Sequence, residues 1–300
     1  MSSIKNTVGD AIDEEKNKVE KNTLYLVAVP IGNLSDFSER ALKVLSEVDF
    51  IAAEDTRNTQ HLLARFGIKK TLVSYYEHNK RQRGEEITAR IDAGESCALV
   101  TDAGMPAISD PGEDLVALCA EKGITVSCIP GCCAAVTALA LSGLPTGRFA
   151  FEGFLSTSKG ERNKRLTEIK NEPRTLIFYE APHKLRTTLD DLYEAFGDRK
   201  IAICRELTKL NEEIVRTTLS SAIEVYKEKS PRGEYVLIME GCSLKEKKEE
   251  SAEENPLLSL SPQEHVSHYE KKRLSRMDAI KAAAKDRGMT KSEFYKLLNK

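Results

Sequence analysis

Short apolar runs alternate with helical patterns from Leu24 onwards. Five runs have the length and the apolar content of buried strands, at residues 24–30, 49–54, 71–76, 97–102 and 125–131. After the first run, Ser38 is placed to cap a helix whose apolar side carries Ala41, Leu42, Leu45 and Val48. Strands and helices that alternate at this spacing predict a parallel sheet wrapped by helices.

The carboxyl ends of these predicted strands hold the richest turn and polar segments of the first half. Their sequences are VPIGN, AEDTR, YEHN, TDAGMP and PGCCAA. Open parallel sheets bind ligands at the carboxyl ends of their strands. The pattern therefore predicts a ligand site at this edge of the sheet.

The pattern changes after a helix of small residues at 134–141 and the turn SGLPTGR. Strand-like runs follow at residues 149–155, 174–181, 200–207, 213–219 and 233–241. Fewer helices separate them, at about 160–171, 183–196 and 219–228. Because the last strands can pair antiparallel, this half predicts a second α/β domain with a mixed sheet.

These patterns divide the chain into five segments. They are a flexible tail at 1–22, an α/β domain at 23–130, a second α/β domain at 131–242, a charged linker at 243–262 and a basic helical tail at 263–300. Residues 264–300 hold ten Lys or Arg and five acids, a charge of +5. This composition fits a solvated helical appendage and an RNA-binding surface alike.

The basic tail contains helix signals. Met277, Ile280 and Ala284 predict one apolar stripe. Thr290 and Glu293 have the spacing of a capping box, which predicts the start of a last helix.

The absence of long apolar runs and of common motifs excludes several classes of protein. The net charge of −2 does not indicate a particular partner. No apolar run approaches the roughly 20 residues of a membrane span, and no secretory signal is evident, so we expect a cytoplasmic protein. The chain carries no metal-binding spacing, no G-x-S-x-G, no P-loop and no dinucleotide fingerprint, so we predict no metal site. Four cysteines in apolar runs are expected in the core: Cys97, Cys119, Cys128 and Cys204.

The stretch TDAGMPAISDPG, residues 101–112, follows a predicted strand and is rich in turn residues. Gly104 allows a positive φ or a close backbone approach to a ligand. Ser109 or Asp110 can cap the following helix. The amides around 103–105 fit the polar edge of a nucleoside, and a tight strand–helix connection without a ligand explains the same residues.

Three segments combine acids, hydroxyls and bases at predicted strand ends. Residues 54–57 read EDTR, and Asp55 or Thr56 is placed to cap the next helix. Residues 179–183 (YEAPH) and 205–209 (RELTK) have a similar content. These residue types suit acid–base chemistry, and they suit structural ion pairs equally.

In order along the chain, eight motifs resemble one family closely. They are VPIGNL (29–34), RALKVLSEVDFIAAEDTR (40–57), VTDAGMPAISDPG (100–112), IPGCCAAVTALALSGL (129–144), FEGFL (151–155), FYEAPHKL (178–185), RELTK (205–209) and RGEYVLIMEG (232–241). The chain resembles the small-subunit ribosomal RNA methyltransferase I family of the tetrapyrrole-methylase superfamily over about residues 23–241.

The resemblance implies two α/β domains, a homodimer and S-adenosylmethionine bound in the cleft between the domains. It implies methylation of the 2′-hydroxyl of a cytidine in the decoding region of 16S rRNA, within the 30S subunit. The cofactor contacts carried over from the family are Pro30, Asp102, Ala103, Gly104, Met105, Ser109, Cys133, Ala134, Phe154 and Leu155.

This chain departs from the family pattern at two places. The family usually shows A-G-T-P and P-G-P-S-A, where Met105 and Cys132-Cys133 stand here. Methionine removes a hydroxyl and cysteine weakens a hydrogen bond, so cofactor affinity depends on whether these side chains or only the backbone touch the cofactor.

The implied reaction needs a group that takes up the proton of the ribose hydroxyl. The candidates for this role, or for positioning the nucleotide, are Glu54, Glu180, His183, Arg205 and Glu206. The rival interpretations are a methyltransferase of a tetrapyrrole or another small molecule, and a ribosome-assembly factor without catalysis. The basic tail is expected to contact rRNA.

Overall fold

The computed structural model describes residues 18–243 and 256–298. The predicted tail at 1–22 and the predicted linker at 243–262 therefore fall largely outside the described residues. Two compact units divide the chain: Met1–Thr167 with Thr175–Glu240, and Glu168–Arg174 with Gly241–Lys300.

The first sheet has five parallel strands in the order β3-β2-β4-β1-β5. Their bounds are β1 Thr23–Val27, β2 Phe50–Ala53, β3 Thr71–Ser74, β4 Cys97–Val100 and β5 Thr125–Ile129. The central strands β2 and β4 are buried throughout, which explains their uninterrupted apolar runs. Side chains from the two faces of the sheet enter two separate hydrophobic clusters beneath the helices.

Between residues 18 and 131, four α-helices accompany this sheet: α1 Glu39–Glu47, α2 Thr56–Arg65, α3 Lys80–Asp92 and α4 Gly112–Glu121. Ser38 caps α1 as predicted, because its hydroxyl accepts from the Ala41 N–H. Of the two candidates for the α2 cap, Asp55 takes the position and accepts from the N–H groups of Arg57 and Asn58.

The second sheet is mixed, with the order β6-β7-β10-β8-β9. Its strands are β6 Phe149–Phe154, β7 Thr175–Glu180, β8 Lys200–Arg205, β9 Glu213–Thr218 and β10 Tyr235–Met239. Only β6 and β7 pair in parallel, and the other neighbours are antiparallel. The helices of this half are α5 Ala134–Ser142, α6 Lys159–Glu168, α7 Leu185–Phe196 and α8 Leu219–Glu228. The predicted α/β fold class, with a parallel and a mixed sheet, is confirmed.

The helix of small residues, α5, packs on the second sheet. Ala135, Ala138 and Leu139 share one buried cluster with Ile177 and Ile238 from that sheet. Small side chains let a helix approach a sheet closely, which accounts for the alanine-rich sequence of α5.

The second unit, taken by itself, has three α-helices among its described residues: α9 Pro262–Lys271, α10 Arg276–Asp286 and α11 Lys291–Leu298. Its core combines Val266 and Phe294 with four residues of α10: Ala279, Ile280, Ala283 and Ala284. The Thr290–Glu293 capping box is confirmed, with bonds of 2.9 and 3.3 Å. The predicted stripe is wrong at Met277, which is 55% exposed, because the helix packs through its alanines instead.

One predicted core cysteine is also wrong. Cys97, Cys119 and Cys204 are buried, but Cys128 is exposed because β5 is an edge strand with an open outer face. In the described part of the chain no helix is long and apolar enough to cross a bilayer.

Candidate active site

A cleft of about 430 Å³ opens at the sheet edge where the sequence predicts a ligand site. One wall comes from the first sheet, from Glu54 and the loop 101–110. The other comes from α5 and the second sheet, through Cys133, Ala134, Phe154, Tyr179, Glu180, Cys204, Glu234, Tyr235 and Val236. Its volume lies in the range of small-molecule sites.

Gly104 fixes the loop to the first strand. Its N–H donates to the Val29 carbonyl at 3.1 Å, and its carbonyl accepts from the Val29 N–H at 2.9 Å. The φ of Gly104 is +81°, and a Cβ there would lie 3.2 Å from Cγ2 of Ile31. The glycine is therefore needed for backbone conformation and close packing, and its own N–H is already used.

The N-cap of α4 is Pro111, so neither predicted residue, Ser109 or Asp110, takes the cap position, but Asp110 organises the loop before the helix. Its carboxylate accepts from the N–H groups of Ala107, Ile108 and Gly112, at 3.0, 3.2 and 2.8 Å. These bonds hold Ala107 and Ser109 at φ values of +66° and +65°, which cost energy for residues with a side chain. Ser109 is left to line the cleft.

Two carboxylates of the first domain face the cleft with few partners. The Thr101 hydroxyl donates to Glu54 at 3.0 Å, and the Asn58 amide donates to Asp102 at 3.3 Å. Burial raises the pKa of Glu54, and the neighbouring charges of Asp102 and Asp110 raise it further against the opposing effect of Thr101. Glu54 is thus a better proton acceptor than an ordinary surface glutamate.

The cleft as a whole is acidic. Five carboxylates line it, from Glu54, Asp102, Asp110, Glu180 and Glu234, and no Lys or Arg is among its described lining residues. The carboxylates of Asp110 and Glu180 already accept hydrogen bonds from neighbouring protein groups. The arrangement suits a cationic ligand and disfavours one carrying phosphates.

Aromatic side chains form the apolar part of the second wall. Phe154 is 57% exposed, and its ring centroid lies 5.5 Å from that of Tyr179. The Tyr179 hydroxyl accepts from the Ala135 N–H at 3.2 Å. Burial raises the pKa of Tyr179 to about 12, so the phenol stays neutral at physiological pH. Exposed Phe154 offers a face on which a planar ring can stack.

The structure separates the five acid–base candidates. Glu54 and Glu180 line the cleft, whereas His183, Arg205 and Glu206 are absent from its lining. Glu180 is 3% exposed and accepts from the Thr188 hydroxyl at 2.5 Å, which anchors it to α7.

The three remaining candidates point elsewhere. His183 is exposed to solvent. Arg205 donates to the Arg232 carbonyl at 2.8 Å and pairs with Glu213 at 3.2 Å. Glu206 pairs with a lysine of its own loop and accepts the Glu234 N–H at 2.9 Å. For Arg205 and Glu206 the structure favours the ion-pair interpretation.

Eight of the ten predicted cofactor contacts line the acidic cleft: Asp102, Ala103, Gly104, Met105, Ser109, Cys133, Ala134 and Phe154. Pro30 lines a smaller cleft next to it. Leu155 is 6% exposed and packs in the interior, so the structure does not bring it to either cleft.

The acidic cleft also has lining residues that the sequence did not single out as candidates. Ile108, Glu234 and Tyr235 are the clearest examples. The motif RGEYVLIMEG was the available signal for Glu234 and Tyr235, since it places them just before and at the start of β10. Within the described residues, no group of three or more His, Cys, Asp or Glu is arranged to hold a metal ion.

The sequence and the fold match a known class of enzyme. A family profile described as Tetrapyrrole (Corrin/Porphyrin) Methylases matches residues 23–223. A solved uroporphyrin-III C-methyltransferase from Thermus thermophilus, in complex with S-adenosylhomocysteine, has the same fold, with a TM-score of 0.51 and 18% identity over 72% of this chain and 96% of that one. The protein is a tetrapyrrole-family methylase.

Curated relatives narrow the assignment. The Ribosomal RNA small subunit methyltransferase I of Halalkalibacterium halodurans is 50% identical over 93% of this chain and 95% of its own length. The Bacillus subtilis protein of the same name is 46% identical over 93% of this chain and 94% of its own length. The chain belongs to this small-subunit rRNA methyltransferase I family, which confirms the resemblance drawn from its motifs.

Proposed function

We propose that the protein transfers a methyl group from S-adenosylmethionine to the 2′-hydroxyl of a decoding-region cytidine in 16S rRNA, within the 30S subunit. The names of the close relatives support an rRNA substrate. The observation that carries the proposal is the cleft at the carboxyl edge of the first sheet, whose lining carboxylates favour a cationic ligand over one that carries phosphates.

The residues present fit this cofactor. S-adenosylmethionine carries a sulfonium and an ammonium group, and it supplies an electrophilic methyl group when bound. Glu54 and Asp102, which line the cleft and form no ion pair with the described residues, favour those cationic groups. Phe154 offers an apolar face to a purine ring, and Gly104 keeps the floor of the cleft free of a side chain.

Glu54 is the proposed proton acceptor for the ribose hydroxyl. It lines the cleft, and its pKa is raised by burial, which brings its basicity closer to that of a general base working near neutral pH. Glu180 is assigned a positioning role, because its bond to Thr188 fixes the end of β7 beside the cleft. His183, Arg205 and Glu206 are assigned no contact with the reacting groups.

The basic three-helix unit is proposed to bind rRNA. Lys291, Ser292, Tyr295 and Lys296 line one shallow depression on the exposed side of α11. Tyr295 is 47% exposed between two lysines, which suits a base stacked on its ring and phosphates beside it. We also propose that the enzyme acts as a homodimer in the cytoplasm, where its substrate is assembled.

Transfer of tritiated methyl groups to three acceptors tests the proposal. We expect label on 30S particles, and little or none on naked 16S rRNA or on a uroporphyrin-type tetrapyrrole. Label on the tetrapyrrole would support the small-molecule alternative. Tight binding to 30S particles with no label on any acceptor would support the assembly-factor alternative.

A further inference from the structure

A second cleft of about 310 Å³ adjoins the acidic one. The two share Ile31, Thr101, Asp102, Ala103 and Glu234 as lining residues. A molecule in the second cleft is therefore separated from the proposed cofactor only by side chains common to both walls. This is the position that a methyl acceptor requires.

The chemistry of the second cleft differs from that of the first. Leu34 and Leu62 give it an apolar rim, and the amide of Asn58 adds hydrogen-bonding groups. An apolar slot with an amide suits a nucleobase that has left its stack.

A lysine closes the second cleft from the side of the second sheet. The stem of Lys209 lies directly against Gly32, where a Cβ would be 2.3 Å from its Cγ. Its ammonium pairs with Glu206 at 2.9 Å and with Glu234 at 2.7 Å. Lys209 is the one Lys or Arg among the described lining residues, and these two carboxylates offset its charge.

A line of basic residues leads away from this cleft along α2. Asn58 and Leu62 of α2 face the cleft, while Arg57, His61 and Arg65 are exposed on the adjoining side of the same helix. Residues at intervals of four lie along one side of a helix, about 6 Å apart. Both arginines are exposed and neither takes part in an ion pair with the described residues, so both can bind an anion.

We propose that the second cleft receives the target nucleotide, turned out of its stack, and that the phosphates next to it lie along Arg57, His61 and Arg65. The inference rests on the proposed rRNA methyltransferase function. A linear run of basic side chains that begins at the cleft and follows a helix matches a polymer with regularly spaced phosphates. It matches a compact tetrapyrrole, whose carboxylates surround a ring, less well.

The phosphate part is tested by binding the R57Q/R65Q variant of the full chain to purified 30S particles over a range of KCl concentrations. We expect affinity to fall by about tenfold or more at low salt. The slope of log K against log salt should become shallower by about 1.4 to 1.8, at roughly 0.7 to 0.9 for each lost phosphate contact. Calorimetric binding of S-adenosylhomocysteine should stay within about twofold of wild type.

The matched control is K159Q/K164Q, which removes two exposed positive charges from α6, a helix that lines neither cleft. We expect its salt slope to equal that of wild type. An equal loss in the control would overturn the inference, because it would show that only total charge matters. If R57Q/R65Q loses binding to a uroporphyrin-type tetrapyrrole but not to 30S particles, these basic side chains bind a small anion, and the inference is overturned as well.

The nucleotide part is tested by Leu62→Ala, with Leu62→Met as the conservative variant. We expect L62A to bind 30S particles within about twofold of wild type but to methylate them at least tenfold more slowly in a single turnover, and L62M to restore most of the rate. Equal rates in L62A and wild type would overturn this part.

The failure of the proposed function and the failure of this inference can be told apart. If wild type binds S-adenosylhomocysteine but neither binds nor methylates 30S particles, the proposed function fails. If wild type binds and methylates 30S particles and R57Q/R65Q matches it, only this inference fails.

Discussion

At the scale of single residues, the role of Glu54 as proton acceptor can be tested by one substitution. Glu54→Gln keeps the size and the bond to Thr101 but removes the proton acceptor. We expect the rate of methyl transfer to 30S particles to fall by about 10² to 10⁴, with S-adenosylhomocysteine affinity within about threefold of wild type. Single-turnover methylation and calorimetry measure the two quantities.

Glu39→Gln is the control for Glu54, because Glu39 is an exposed acid in the first turn of α1 and lies outside both clefts. Its rate should match wild type. Full activity of E54Q would show that Glu54 does not take up the proton. The raised pKa of Glu54 adds a pH dependence: the rate should decline as acid protonates Glu54, and the decline should begin at a higher pH than for an ordinary glutamate.

Gly104 supports a second expectation, about the shape of the cleft. Gly104→Ala and Gly123→Ala both place a side chain at a positive φ, so each should lower the free energy of unfolding by about 1–2 kcal/mol. Only at Gly104 does the new Cβ press on Ile31, which lines both clefts, whereas nothing lies within 4 Å at Gly123.

S-adenosylhomocysteine should therefore bind at least tenfold more weakly to G104A and normally to G123A, as measured by calorimetry, with urea unfolding as the stability measurement. Equal affinities in the two variants would mean that the loop around Gly104 does not shape the cofactor site.

Residue types located the loop but did not decide the direction of each side chain. Ser109 and Asp110 are both good capping residues, and the sequence left the choice open. Pro111 takes the N-cap position itself, and Asp110 holds the preceding loop because its carboxylate has two oxygens that can serve three backbone N–H groups, whereas one hydroxyl cannot. Leu155 belongs to the motif FEGFL, but the motif does not reveal that its side chain packs in the interior.

At the scale of elements, buried His265 makes the three-helix unit sensitive to acid. Its Nδ1 accepts from Arg287 at 3.1 Å, so its Nε2–H donates to Asp286 at 3.1 Å, and the ring is neutral. Burial lowers the pKa of His265, and the charge of Arg287 lowers it further against the opposing bond to Asp286. The neighbouring groups Tyr269 and His268 complete its surroundings.

The unfolded chain therefore binds a proton more readily than the folded unit does. The stability that neutral His265 contributes is fully present above about pH 6.5, the ordinary value for histidine, and is lost as the pH falls below it. Hydrogen exchange of peptides from α9 and α10 should accelerate between pH 7.5 and 5.5 after correction for intrinsic rates. Peptides from α1 serve as the internal control, and an identical change in both regions would contradict the account.

Strands, helices and caps were the most predictable elements, because periodicity and local hydrogen bonding decide them. The errors came from packing that the sequence does not display. Cys128 sits in an apolar run, yet β5 has a neighbour on one side only. Met277 has helical spacing with Ile280, yet the alanines of α10 make the closer contact with the rest of the three-helix core.

At the scale of the whole molecule, the α11 surface tests the role of the basic unit. K291Q/K296Q should flatten the salt dependence of 30S binding, with a slope change of about 1 to 2. The control K281Q/K285Q removes the same charge from exposed positions of α10. A shallower salt slope in both variants would mean that rRNA contacts α10 as well as α11. An unchanged slope in both would show that this unit does not contact rRNA.

The order of strands along the chain gave the fold class and the edge where the cleft lies. It did not give the second cleft, because that cleft depends on contacts between distant segments. Lys209 and Gly32 are far apart in sequence, and only the folded chain shows that one requires the other. The predicted segment boundaries and the homodimer stay predictions for the same reason.

The chemical identity of the methylated product tests the proposed 2′-O-methylation of 16S rRNA. 30S particles labelled by the enzyme are digested completely to nucleosides, and the tritium is assigned by chromatography and mass spectrometry. We expect the label in 2′-O-methylcytidine from the decoding region of 16S rRNA. Label in a base-methylated nucleoside, or in a ribose elsewhere in the particle, would contradict it.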